Sequence, residues 1–250
     1  ALLYMLVFIP EYGLKGIWIS IFNSISAFCN AGIDIISENS LCDYATNPII
    51  NLVTCGLIIL GGIGYIVWWD VIRVLKDYKH RKLKCCRHLT LHSKIALFAT
   101  FVFLAIGAIA IFIFEYNNPL TLKDYSLFDK IQLSVFQSVT TRTAGFATIP
   151  QQNLSNPSSI VSLLLMFIGG SPVGTAGGVK TVTILILIAS GLSTIQNKNQ
   201  VTLFNRTIAK QSIDKAIAVV FMSFTIMLCS TVLLSVASNA PTLDILYETV

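Results

Sequence analysis

The sequence predicts an all-α membrane protein built of repeated units that leave and re-enter the bilayer. Three observations carry that reading. Hydrophobic residues make up 54% of the 250 and charged residues 12%, about half the charged share of a soluble domain. Several runs of about twenty residues carry almost no charge, the length a helix needs to cross a bilayer core. Two segments about 110 residues apart repeat the same pattern of a short helix followed by a glycine. A β-barrel is disfavoured, because the apolar runs are continuous where a two-faced strand would alternate.

The long apolar runs are 49–74, 95–116, 160–192 and 216–237, with 1–9 as the end of another. The stretch 1–9 lacks the charged start and cleavage site of a signal peptide. Neither end of the sequence reads as natural, so it is taken as part of a longer chain. Between the runs lie two semi-apolar pieces, 16–28 and 127–140, and a third begins near Thr242. These are too short to span and suit re-entrant or interfacial helices.

Charge orients the chain. Lys76, Lys79, Arg81, Lys82, Lys84, Arg87 and Lys94 crowd one connection against the single acid Asp77. Lys198, Arg206, Lys210 and Lys215 fill a second, against Asp214. Both read as cytosolic by the positive-inside rule, which explains them without nucleic acid. Glu11, Asp34, Glu38, Asp43, Glu115, Asp124 and Asp129 then lie on the outward connections. The short pieces re-enter from outside, in a multi-pass protein of the cell membrane. Tyr65, Trp68 and Trp69 read as an interfacial belt. The six cysteines give no disulfide framework, and Cys85-Cys86 lacks the spacer of a zinc site. They read as reduced thiols.

The repeat aligns Phe22-Asn23-Ser24-Ile25-Ser26 and Asn30-Ala31-Gly32 with Phe136-Gln137-Ser138-Val139-Thr140 and Thr143-Ala144-Gly145, with one residue of slippage. Tyr247-Glu248-Thr249 begins it again, and Gly61-Gly62 corresponds to Gly169-Gly170. The unit is a span, a short outer half-helix, a glycine turn and a second span, which is a pore-loop, channel-like unit. Residues 1–85 would close one unit, with pore helix 16–28, filter 29–33 and inner helix 48–80. Residues 86–205 would form the next unit, with filter 141–146 and a broken inner helix, and 206–250 would start another. The units are expected in a pseudo-fourfold arrangement around an ion path.

Irregular backbone at membrane depth survives only where it is buried in protein or lines water. A turn at Gly32 or Gly145 offers carbonyls that no ladder satisfies, and glycine permits the positive φ that aims them at one axis. Such carbonyls replace the hydration shell of a cation. The alternative at each glycine is an ordinary helix C-cap, and the paired copies favour the filter. The filter candidates are Cys29, Asn30, Ala31 and Gly32 with Arg142, Thr143, Ala144 and Gly145. One glycine per copy suggests fewer rigid ion sites and looser selectivity than a two-glycine filter. Arg142 is expected to brace the loops by pairing with an acid such as Glu248. Asp34 reads either as a cation-attracting group at the mouth or as a solvated acid.

The run 169–180 holds five glycines and a proline. Inside a helix these would cost about 8 kcal/mol relative to alanine, so the helix must break there. Ser171, Thr175 and Thr181 can serve the freed backbone groups. Lys180 should face the pore or its cytosolic mouth, since at the bilayer centre it costs about 3 kcal/mol. The alternatives are a packing kink and a phosphate-binding loop, but the Walker spacing is not met.

Thr140 to Phe146 resembles the third pore loop of the Trk, Ktr and HKT potassium transporter superfamily, and Ser26 to Gly32 its second. Gly169 to Thr181 resembles the break in the third unit's inner helix. Ile33 departs from the aromatic that often follows the filter glycine. The resemblance implies potassium uptake without covalent chemistry or bound cofactor, K+ being the transported ion. It also implies a gate loop at Gly169, Gly170, Ser171, Gly174, Thr175, Gly177, Gly178 and Lys180. A homodimer with one pore per protomer is expected, docked through the basic connections onto a cytosolic nucleotide-binding regulatory subunit of RCK type. The remaining alternatives are a secondary symporter with discontinuous helices in inverted repeats and an intramembrane enzyme. The copies here run in the same direction, and His80, His88 and His92 lie in one connection rather than in the spans.

Overall fold

The structure is a computed structural model that describes residues 1–37, 39–76, 88–198, 200–238 and 240–250. Helices α1 (Leu2–Tyr12) and α2 (Lys15–Phe28) are followed by α3 (Pro48–Gly62) and α4 (Tyr65–Lys76). Then come α5 (Leu91–Glu115), α6 (Leu127–Thr140), α7 (Asn156–Phe167) and α8 (Thr181–Ile195). A two-residue hairpin of β1 (Thr202–Leu203) and β2 (Arg206–Thr207) precedes α9 (Lys210–Ala237) and α10 (Thr242–Thr249).

Local chemistry starts these helices where they start. Asn47 caps α3 by accepting from the Ile49 and Ile50 amides, with Pro48 in the first turn. Thr90 caps α5 through the Ser93 amide, and Ser126 caps α6 through the Asp129 amide. Each cap satisfies a donor that the helix itself cannot.

Among the described residues, α5 and α9 are long and apolar enough to cross a membrane alone. The run expected as one inner helix over 48–80 is instead bent. Its parts α3 and α4 meet at 97°, and residues 77–80 lie outside the described part. The cause is Gly62-Ile63-Gly64: Gly64 has φ +92°, which ends the helical path. The run 160–192 is likewise two helices, α7 and α8, separated by the glycine-rich segment.

The main core joins the two short helices. Tyr4 and Phe8 of α1, Ile19 and Ala27 of α2 and Ile50 and Ile58 of α3 pack with Phe136 and Val139 of α6. Ala144 and Phe146, just beyond α6, complete it. By contrast α9 buries only Ala216 and Thr231, and Phe221, Val232 and Val236 face outward. Outward apolar side chains are the arrangement a lipid solvent requires. The basic residues Lys79, Arg81, Lys82, Lys84 and Arg87, the thiols Cys85 and Cys86, and Glu38 lie outside the described residues.

Candidate functional site: two facing glycine turns and the loop against them

Helices α2 and α6 are each 14 residues long and end in the same kind of turn. Asn30 and Gly32 have φ of 51° and 67°, and Thr143 and Gly145 have φ of 62° and 83°. Alternating positive φ turns successive carbonyls out of the helical direction. A side-chain hydroxyl fixes each turn: Ser26 Oγ donates to Ile33 O and Thr140 Oγ1 to Phe146 O, both at 2.5 Å. The Ala31 and Ala144 amides bond back to Ser26 O and Thr140 O at 3.0 Å.

The turns touch. A Cβ on Gly32 would stand 2.3 Å from Ala144 O, and one on Gly145 3.2 Å from Gly32 Cα. Among the described residues no protein donor reaches the carbonyl oxygens of Cys29, Asn30, Ala31, Gly32, Thr143, Ala144 or Gly145. Asn30 and Ala144 are buried, Gly32 and Thr143 half-buried, and Cys29, Ala31 and Gly145 exposed, and a carbonyl without a protein donor is open to a cation or water. The Arg142 carbonyl differs, accepting from Asn30 Nδ2 at 3.3 Å.

The Arg142 side chain does not reach Glu248. It is buried, and its guanidinium donates to Thr100 O at 3.3 Å and Gly169 O at 2.9 Å. The brace therefore runs to helix α5 and the glycine-rich loop. Five guanidinium donors suit carbonyls as well as carboxylates, and Gly169 O is exposed to them by the break.

The loop 168–180 abuts both turns. Thr175 Oγ1 donates to Phe28 O at 3.0 Å and Asn30 Oδ1 at 2.9 Å, and the Gly177 amide donates to Thr143 Oγ1 at 2.8 Å. Ser171, fully buried, sits 3.4 Å from Thr100 Oγ1 and 3.1 Å from Thr181 Oγ1. Lys180 Nζ donates to Ala176 O at 2.7 Å, so its charge is spent on the loop's own backbone. Gly169, Gly170 and Gly178 permit the fold-back: the Gly170 amide bonds Gly177 O at 3.3 Å and the Val179 amide bonds Phe167 O at 2.9 Å. A Cβ on Gly169 would meet Gly177 O at 1.9 Å, and one on Gly174 would meet Gly62 O at 2.6 Å.

A cavity of about 300 Å³ lies beside the second turn, lined by Gln137, Thr140, Thr143, Gly145, Gln151 and Tyr247 among others. Tyr247 reaches it from α10, donating to Gln151 Oε1 at 3.2 Å.

Other groups hold this assembly without being legible in the motifs. Fully buried Glu115 accepts from Asn118 Nδ2 at 2.7 Å, the Ser155 amide at 2.9 Å and Thr121 Oγ1, tying α5 to the start of α7. Tyr44 donates to Glu11 at 2.5 Å, and burial together with that carboxylate pushes the phenol's pKa up. The α3–α4 break was also missed. Three glycines in the four residues 61–64 of an apolar run carry a penalty of about 3 kcal/mol, the same signal that exposes the break at 169–180.

A bundle of apolar helices broken by glycine, two of them long and apolar enough to cross a membrane, has the architecture of a helical membrane protein. The chain belongs to the TrkH family, whose model, described as a cation transport protein, matches residues 4–250. It is 38% identical over 236 residues to the potassium/sodium uptake protein NtpJ of Enterococcus hirae, covering 94% of this chain and 50% of that protein. It is 37% identical over 250 residues to the Ktr system potassium uptake protein B of Bacillus subtilis, covering 100% of this chain and 54% of the relative. The chain thus spans about half the length of the curated relatives it matches. The crystal structure of the potassium transporter TrkH from Vibrio parahaemolyticus shares the fold, with TM-score 0.67 and 19% identity over 93% of this chain and 48% of that one.

Proposed function

We propose that this chain supplies two of the four pore loops of a potassium-uptake subunit. The two facing turns carry the reading: positive φ at Asn30, Gly32, Thr143 and Gly145, with unclaimed carbonyls on both sides of their contact. Relatives named for potassium or potassium/sodium uptake support a monovalent cation as cargo. In this reading the carbonyls of residues 29–32 and 143–145 line the filter, and two further loops complete a pseudo-fourfold ring. Arg142 is the brace of that ring rather than a strong ion contact, because its carbonyl is partly engaged.

The loop 169–180 is the gate, standing against the inner side of both turns. Opening it breaks the bonds of Thr175 and Gly177 to the turns. The pore loops face outward and the basic connections inward, following their charge. A homodimer docked on an RCK-type nucleotide-binding subunit through 76–94 and 198–215 fits the Ktr-system naming of the relatives.

The test is potassium uptake by the full-length protein in cells without potassium uptake systems of their own. Gly32→Ser and Gly145→Ser variants are compared at equal membrane levels. Growth at low potassium that the variants lose, or that they retain only with sodium admitted, supports the filter. Transport indifferent to both glycines would move the symporter reading to the front.

A further inference from the structure

The α3–α4 bend and the gate loop complete each other's backbone hydrogen bonding. In a continuous helix the Tyr65 amide would donate to Gly61 O and the Ile66 amide to Gly62 O, four residues back. Here Gly61 O accepts from the Thr175 amide at 3.2 Å and Gly62 O from the Ser171 amide at 2.9 Å. The Tyr65 amide turns instead to Val173 O at 3.3 Å. The loop therefore caps the end of α3 and receives the start of α4. The contact is close: a Cβ on Gly64 would stand 2.4 Å from Pro172 O, and one on Gly174 2.6 Å from Gly62 O. Val173, a β-branched residue at φ 62°, holds an unfavourable conformation within this contact.

We infer that withdrawal of loop 169–180 and straightening of α3 and α4 into one helix are a single event, an exchange of hydrogen-bond partners at Gly61, Gly62 and Tyr65. Away from water, a carbonyl left without a donor costs free energy, so the two glycine carbonyls favour having one in either form. If the loop leaves, the two glycine carbonyls need new donors, and the Tyr65 and Ile66 amides are the nearest a helix can supply. The exchange also frees Val173 from its strained φ. Packed elements with two discrete arrangements are what convert a local displacement into a switch.

The far end of α4 shows where the switch is driven. Asp70, buried, accepts from the Thr90 amide at 2.8 Å and Thr90 Oγ1 at 2.9 Å, and pairs with Arg73. Helix α4 is thereby stapled to the base of the basic connection 76–94. In this proposal a displacement of Thr90 would be carried along α4 to Gly64 and the loop. This rests on the gate reading above and adds the route by which the gate is worked.

Two substitutions push the exchange in opposite directions. Gly64→Ala cannot hold φ +92° beside Pro172 O and favours the continuous helix. Ile66→Pro removes a donor that only the straight form uses, since the Ile66 amide has no backbone acceptor in the bent form among the described residues. Proline is tolerated in the first turn of α4 but not inside a continuous helix. Thr175→Val serves as a control on the gate itself, removing the hydroxyl that holds the loop to Phe28 and Asn30.

Potassium uptake by the full-length protein, in cells without other potassium uptake systems, is measured as maximal rate and half-saturating concentration at equal membrane levels. Gly64→Ala is expected to raise the maximal rate about fivefold, and Ile66→Pro to lower it by about tenfold. A merely structural role for the bend would move the maximal rates of both variants the same way. A rise with Thr175→Val, but no opposed response at residues 64 and 66, leaves the gate standing and overturns the exchange. No response from any of the three overturns both. Should Gly64→Ala not reach the membrane, Ile66→Pro is combined with Thr175→Val: loss of the rise that Thr175→Val gives alone supports the exchange, and a rise that persists overturns it.

Discussion

The glycines of the two facing turns and those of the loop 168–180 are the same residue used for opposite reasons. At Gly145 there is nearly room for a side chain, the nearest atom to an added Cβ being 3.2 Å away, but φ is +83°. At Gly169 no positive φ is involved, yet an added Cβ would stand 1.9 Å from Gly177 O. The first is a glycine of conformation and the second a glycine of space. Gly32 is both, at φ +67° with Ala144 O at 2.3 Å, because it lies where two repeats meet. Gly177 is neither: its nearest neighbour is the Thr143 side chain at 3.8 Å, an ordinary contact. The turn after α6 thus uses glycine for backbone direction, and the folded-back helix break uses it for close approach.

Substitutions by alanine across these positions test that distinction. Gly169→Ala should do most, destabilising the folded protein by about 3 kcal/mol because backbone on both sides must move. A thermal melt of purified full-length protein in detergent would show it, and an unchanged melting temperature would mean the fold-back is looser than described. Gly32→Ala comes next. Its two faults act together on the contact between turns, and potassium uptake should fall by about tenfold or more.

Gly145→Ala meets only the conformational penalty, about 1 to 2 kcal/mol. Uptake should survive with weaker discrimination between potassium and sodium, read from competition by sodium. Equal damage from Gly32→Ala and Gly145→Ala would dissolve the difference drawn between them. Gly177→Ala should be nearly silent, within about 0.5 kcal/mol in stability. A large loss there would show that the space below Thr143 is needed for loop movement rather than merely unfilled.

Much of the architecture was legible in the residues. Continuous apolar runs marked the helices, and Leu127–Thr140 is the helix that its semi-apolar composition indicated. The break between α7 and α8 followed from the energetic cost of glycine and proline in a helix. The bend at Gly62-Ile63-Gly64 was hidden by the hydrophobicity around it, although its glycine density carried the same physical signal. Arg142 was recognised as a brace, but its partners were not. A cation in a sequence suggests an anion, whereas a break in a helix offers carbonyls that no residue type announces. Thr175 was expected to serve freed backbone groups and does donate to Phe28 O, but which group it would face, and the part played by Thr143, were not legible, since a hydroxyl pattern does not reveal its partner.

The residues alone determined that this chain is apolar enough for a membrane, where most of its helices run and that the run 160–192 breaks. Those properties depend on hydrophobicity and backbone propensity summed along the chain, and both are local. Only the tertiary structure decided that the two glycine turns touch, that the loop rests against both, and that Gly61 and Gly62 give their carbonyls to that loop. Backbone groups are chemically alike at every position, so their pairing across a hundred residues is written in the packing and not in the side chains.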